Sequence, residues 1–180
     1  MKSLTLSLAF LAGLAVPATA QQMGSANRNA TKVEQAIEFH NGTELELSYT
    51  ALNWAEGKFV ERMKDERFQK MVNDNAKQNP LGAVKLSGAM EIGGKKIAAG
   101  SYGLHFLISD EGGWLLTLSH KNDDGEVELI QWPLTMEKAP IRSQRLMIVI
   151  AAGEGTTDCS LHMVFGSQHV AVAAACAEEN

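Results

Sequence analysis

Apolar residues fall on odd positions through Val33, Ile37 and Phe39, and again through Leu45, Leu47 and Tyr49. A period of two is the signature of a half-buried strand. Asn41-Gly42 between the two runs is a turn signal. A two-residue loop would set Phe39 against Glu44. A three-residue loop, Asn41 to Thr43, pairs Phe39 with Leu45 and Ile37 with Leu47. The second is preferred, because a one-residue slip turns a strand's apolar face outward.

The period then lengthens. Val60, Met63, Phe68, Met71 and Val72 recur at helical spacing behind an Asn53-Trp54-Ala55-Glu56 capping box. Lys64 and Arg67 interrupt the stripe, with stems long enough to cover a core edge. Asn79-Pro80 ends the run. These signals predict one amphipathic helix from about Trp54 to Ala76, lying on a sheet.

From Ala83 onward only strand patterns follow. Val84, Leu86, Met90 and Ile92 alternate, and Gly93-Gly94 turns the chain. Tyr102 to Ser109 and Trp114 to His120 form a hairpin around Asp110 to Gly113. Val127 to Trp132 is a strand ended by Pro133. Gln144 to Ala151 is apolar enough for a strand buried on both faces. The prediction is an all-β, mainly antiparallel fold of eight to ten strands: a β-sandwich or flattened barrel with one helix packed against it, in a single domain over residues 31–180.

The first twenty residues read differently. Met1-Lys2 is a short positive start, Leu4 to Val16 is apolar, Pro17 breaks the run, and Ala18-Thr19-Ala20 is a small-x-small cleavage pattern. The run is shorter than the ~20 residues a membrane helix needs. The expectation is a signal peptide over 1–20, a loose tail over 21–30, and a soluble periplasmic or secreted product with no membrane span. Sixteen Lys and Arg against 21 Asp and Glu give a formal charge of −5. With no basic block, a nucleic-acid partner is not expected.

Cys159 and Cys176 flank a predicted last hairpin. If Ser167-Gln168 is its two-residue loop, the two cysteines lie directly opposite on a non-hydrogen-bonded rung, ~4.5 Å apart at Cα. That spacing suits a disulfide, which an exported compartment would preserve.

Ile92-Gly93-Gly94-Lys95-Lys96-Ile97-Ala98-Ala99-Gly100-Ser101-Tyr102-Gly103-Leu104 resembles the "Gly-Lys-x-Leu-x-Ala-Gly-Thr-Tyr-Ser-Leu" segment of the domain of unknown function 2911 family. Trp114, and Leu47-Ser48-Tyr49 upstream, match it as well. The resemblance spans roughly Leu45 to Ala175 and implies an exported, bacterial, β-rich protein without an established activity. In place of the Trp-Arg-x-Gly-Ala-Asn segment of many members, this chain carries the charged helix from Trp54.

Catalytic signatures are sparse. The chain holds no Gly-x-Ser-x-Gly, His-Glu-x-x-His, P-loop or dinucleotide fingerprint. If Asp110 to Gly113 is a four-residue loop, His105 faces position 118 and Gly103 faces His120. The two histidines are then diagonal neighbours on one face, ~7–8 Å apart. With Tyr102 and Trp114 they are the ligand-binding candidates, against the alternative of ordinary packed histidines and core aromatics. His162 and His169 share a face but, in the predicted register, stand ~13 Å apart, too far to share a metal. Asp123-Asp124-Gly125 lacks the remaining oxygens of a calcium loop. No cofactor and no metal are expected. The reading is a non-catalytic binding or structural module of the envelope, taking a small molecule, a glycan or an envelope protein. The alternative is a hydrolase using His105 or His120 as general base.

Overall fold

A computed structural model describes residues 30–53 and 58–177. The signal peptide, most of the tail and Trp54 to Gly57, including Glu56 of the capping box, lie outside the described residues. In chain order the elements are β1 (Lys32–Glu38), β2 (Glu44–Thr50), α1 (Lys58–Arg62), α2 (Glu66–Gln78), β3 (Gly82–Leu86), β4 (Met90–Ile92), β5 (Lys95–Ile97), β6 (Gly100–Ile108), β7 (Trp114–Lys121), β8 (Val127–Leu134), β9 (Glu137–Ala152) and β10 (Asp158–Cys176). They build an all-β sandwich. One sheet runs β1-β2-β3-β6-β7-β8, the other β5-β4-β10-β9, and every pairing is antiparallel. Neither sheet closes on itself, so the barrel alternative is set aside.

The inner faces meet in one core. Leu47, Val84, Leu104, Leu116 and Leu118 of the large sheet pack on Ile92, Ile148, Leu161 and Met163 of the small one. The alternating run from Val84 to Ile92 supplies both layers: it breaks after Leu86, and Met90 resumes in the opposite sheet. Gly93-Gly94 then turns β4 into β5, both with positive φ. Pro133 lies inside β8 rather than ending it, which an edge strand tolerates. β9 is likewise an edge strand. It buries Ala139, Leu146 and Ile148 but exposes Ile141 and Val149, so only one of its faces is covered.

The predicted helix is two helices. Asp65 interrupts it and caps α2, its side chain accepting from the Phe68 amide at 2.9 Å. Phe59 of α1 stacks on Trp114, which stacks in turn on Phe165. The helical segment thus closes one end of the sandwich before α2 crosses the outer face of β6. Asn73 fixes that crossing: its amide donates to the Ile108 carbonyl and accepts from the Ile108 N–H, each at 2.8 Å.

Three hairpin loops differ from prediction: two keep their length but begin one residue earlier, and one is a residue shorter. β1 and β2 join through His40 to Gly42, with Phe39 N–H bonded to Thr43 O, so Ile37 pairs with Leu45 rather than Leu47. The shift is two positions and the apolar faces survive. β6 and β7 join through Asp110 to Gly112, closed by Ser109 N–H to Gly113 O. Here the shift is one position, and the faces exchange.

β10 folds back on itself. Along a straight strand its ends would lie roughly 60 Å apart at ~3.3 Å per residue. Instead the Cys176 N–H donates to Thr157 O at 2.8 Å, and the rings of His162 and His169 stack. The reversal falls at Gly166, φ +56°, followed by Ser167. A two-residue Gly166-Ser167 turn sets 165 against 168 and 157 against 176, which agrees with that bond. The expected hairpin therefore exists, but its loop lies one residue earlier than Ser167-Gln168.

Candidate functional site

The register of β6 on β7 decides the fate of the predicted histidine pair. His105 pairs with Thr117 and Gly103 with Ser119, so His105 and His120 occupy opposite faces of the large sheet. They do not share a site. His105 lies outward beneath α2 and is almost wholly buried. Its Nδ1 is 2.8 Å from the Ala76 carbonyl, its Nε2 2.7 Å from Ser119 Oγ. A carbonyl only accepts, so Nδ1 carries the proton and Nε2 accepts from the serine. Burial lowers the His105 pKa, partly opposed by the bond to Ala76. Both ring nitrogens are thus engaged inside the protein, Nδ1 with the last turn of α2 and Nε2 with the serine hydroxyl of the neighbouring strand.

His120 faces inward at the rim. Its ring meets Tyr102 edge-on at 5.3 Å, and its Nε2 is 3.4 Å from Glu128 on the neighbouring strand. Its Nδ1 is buried without a protein partner. Tyr102 donates its hydroxyl to Ala98 O at 2.8 Å, and burial raises its pKa. Trp114 stands six residues from His120 along β7, at the far end, sandwiched by Phe59 and Phe165. Of the four ligand-binding candidates, the structure unites only Tyr102 and His120. Trp114 is a core residue and His105 is a brace.

Cys159 and Cys176 are free thiols. The register of the β10 hairpin places them diagonally on one face instead of directly opposite. Cys176 points its thiol at Asn41 Oδ1, 3.6 Å away, while burial, with Cys176 and Asp158 nearby, pushes the Cys159 thiol up to about 11.

A broad concavity lies elsewhere. The outer face of the large sheet is half covered by α2. The other half, across β1, β2, β3 and the start of β6, forms an open groove of about 530 Å³. Cross-strand rows build it. Glu34, Ser48 and Ala83 form one row; Ala36, Glu46, Lys85 and Ser101 form the next. Small side chains form the floor, so a ligand can come close to the sheet. Glu34, Glu44 and Glu46 stand against a single cation, Lys85, which is itself 2.5 Å from Glu46. The polar positions of β1 and β2 are visible in the sequence as the residues between the apolar ones. Their concavity is not, because it depends on which strands the fold sets side by side and on where α2 lies.

The chain matches no protein-family model, no curated protein and no solved structure.

Proposed function

We propose that this chain is an exported, non-catalytic binding module of the cell envelope whose ligand lies in the groove across β1, β2, β3 and β6. The observation that carries the reading is the groove itself: concave, floored by Ala36, Ser48, Ala83 and Ser101, and walled by more carboxylates than cations. That chemistry favours a polar ligand with a cationic group, such as an amino-sugar glycan or a lysine-bearing peptide. Export is supported by the signal-peptide pattern of residues 1–20 and by the resemblance of Ile92 to Leu104 to exported proteins of the domain of unknown function 2911 family. No helix among the described residues is long and apolar enough to cross a membrane.

A thermal-shift screen against glucosamine oligosaccharides, lysine-containing peptides and neutral glycans tests the reading, since a ligand of the folded state raises Tm. A stabilising hit should vanish in Ala83→Trp, which fills the floor, and weaken in Glu34→Gln. A hit indifferent to both variants would reject the groove.

Within the same reading, Cys159 and Cys176 form a disulfide after export. Diagonal neighbours lie ~7–8 Å apart at Cα, beyond the usual disulfide span, so linkage requires the hairpin ends near Thr157 to shift. Peptide mapping without reductant should recover the two cysteines joined. Complete alkylation of both in exported protein would contradict this.

One observation favours a second reading, a hydrolase. Glu128 at 3.4 Å is placed to orient His120, and Tyr102 adjoins the ring. Turnover on a hydrolase panel, lost in His120→Ala while His105→Ala keeps it, would establish that reading over the first.

A further inference from the structure

On the outer face of the small sheet, the β10 hairpin brings two imidazoles together. His162 Nδ1 and His169 Nε2 are 3.1 Å apart, with the rings stacked at 5.3 Å and inclined by 21°. Both side chains are half-buried. We propose that His162 and His169 form a two-imidazole chelate for a divalent transition-metal ion, with solvent completing the coordination.

Two metal–nitrogen bonds of about 2.0–2.1 Å span about 2.9 Å when they meet at a right angle and about 3.4 Å at the tetrahedral angle. The observed separation falls between these limits, so the nitrogens need to reorient without moving apart. The hairpin register explains the placement. With 162 opposite 171 and 164 opposite 169, the two histidines are diagonal neighbours on a rigid ladder. Their other surroundings suit the role. Ser160 Oγ is 2.8 Å from His162 Nε2. When that nitrogen donates to the serine, the Nδ1 lone pair is left for a metal, and the ring is held as ligating histidines usually are. His169 then needs only to carry its proton on Nδ1, a tautomer change with no net proton release. Glu137 faces His169 across the strand pairing, with Lys138 beside it facing Gln168. Among the described residues no group of three His, Cys, Asp or Glu side chains gathers around one point. The site is therefore open, with two protein ligands, and selects for ions that favour imidazole: Cu²⁺ above Ni²⁺ and Zn²⁺, with Mg²⁺ and Ca²⁺ excluded by their preference for oxygen. It lies on the opposite sheet from the proposed groove and does not depend on that reading.

The test is calorimetric titration of the untagged protein with Cu²⁺, Ni²⁺, Zn²⁺ and Mg²⁺. The expected result is one Cu²⁺ per chain, weaker binding of the other two transition metals, and none of Mg²⁺. His162→Gln and His169→Gln should each weaken Cu²⁺ binding at least about tenfold, and Ser160→Ala by less. Binding that persists unchanged in both histidine variants, or no Cu²⁺ binding at millimolar metal, would overturn the proposal. If either variant fails to fold, Cu²⁺ broadening of imidazole resonances in the wild-type protein decides. Broadening centred on His162 and His169 supports the site, whereas broadening centred on His40 or His120 rejects it.

Discussion

His105 shows what a histidine does when both nitrogens are used structurally. It joins the end of α2 to β7 through Ala76 O and Ser119 Oγ, inside the protein. Burial lowers its pKa below the ordinary 6.5. The unfolded chain therefore binds a proton at higher pH than the folded one. The stability tied to the neutral ring is complete above pH 6.5 and falls as the pH drops toward the folded-state value. Melting curves from pH 7.5 to 5 should show this loss, and His105→Gln should lessen its slope while costing about 1–3 kcal/mol at neutral pH through disrupted buried hydrogen bonds. A variant as stable as wild type would contradict the brace. The sequence exposes His105 as a histidine in an apolar strand, and both fates, ligand or packed residue, are open there. Only the diagonal neighbour across the strand, Ser119 in place of position 120, decides between them.

At the scale of elements, loop placement governs what can be read. The alternation of β1 and β2, the Gly93-Gly94 turn, the final hairpin and the amphipathic stripe of α2 are all legible, because period and turn chemistry are local. The residue at which each loop begins and ends is not. In the β1–β2 and β10 hairpins the register differs from the predicted one by two, and each apolar face stays inward. In the β6–β7 hairpin it differs by one, which separates His105 from His120. The β10 register likewise brings His162 and His169 together, where the predicted pairing held them apart. The helix break at Asp65 was equally hidden, since Met63 and Phe68 continue the stripe across it. Gly112 sets the β6–β7 loop. It has φ +81°, and a Cβ there would stand 2.9 Å from Lys64 Cγ and 3.0 Å from Met63 O. Gly112→Ala should cost about 1–3 kcal/mol from backbone strain and crowding against the helical segment, read as a lower denaturation midpoint. An unchanged midpoint would mean that the loop adopts another conformation.

Across the whole molecule, polar side chains join the two sheets where the strands cannot. Tyr49 of β2 accepts from the Ile148 N–H at 3.0 Å and donates to the Ile148 carbonyl at 3.2 Å. Gln35 of β1 donates to the same carbonyl at 2.6 Å and accepts from the Ile150 N–H at 3.1 Å. These bonds occupy the edge of β9, which would otherwise present unpaired backbone groups. At the other end, Trp132 donates to Ile92 O at 2.8 Å and Lys95 to Gln131 O at 2.7 Å. Tyr49→Phe leaves the Ile148 N–H buried without that acceptor and should cost about 1–3 kcal/mol in urea unfolding. A neutral substitution would show that the edge is solvated.

With its two ends pinned, the large sheet presents a fixed outer surface, part helix-covered and part open, and the proposed function rests on the open part. Chemical-shift mapping of isotope-labelled protein titrated with a glucosamine oligosaccharide tests that claim most directly. The account predicts shifts concentrated at Glu34, Glu46, Ser48, Ala83, Lys85 and Ser101. Shifts concentrated at Tyr102, His120 and Glu128, with the groove silent, would contradict it.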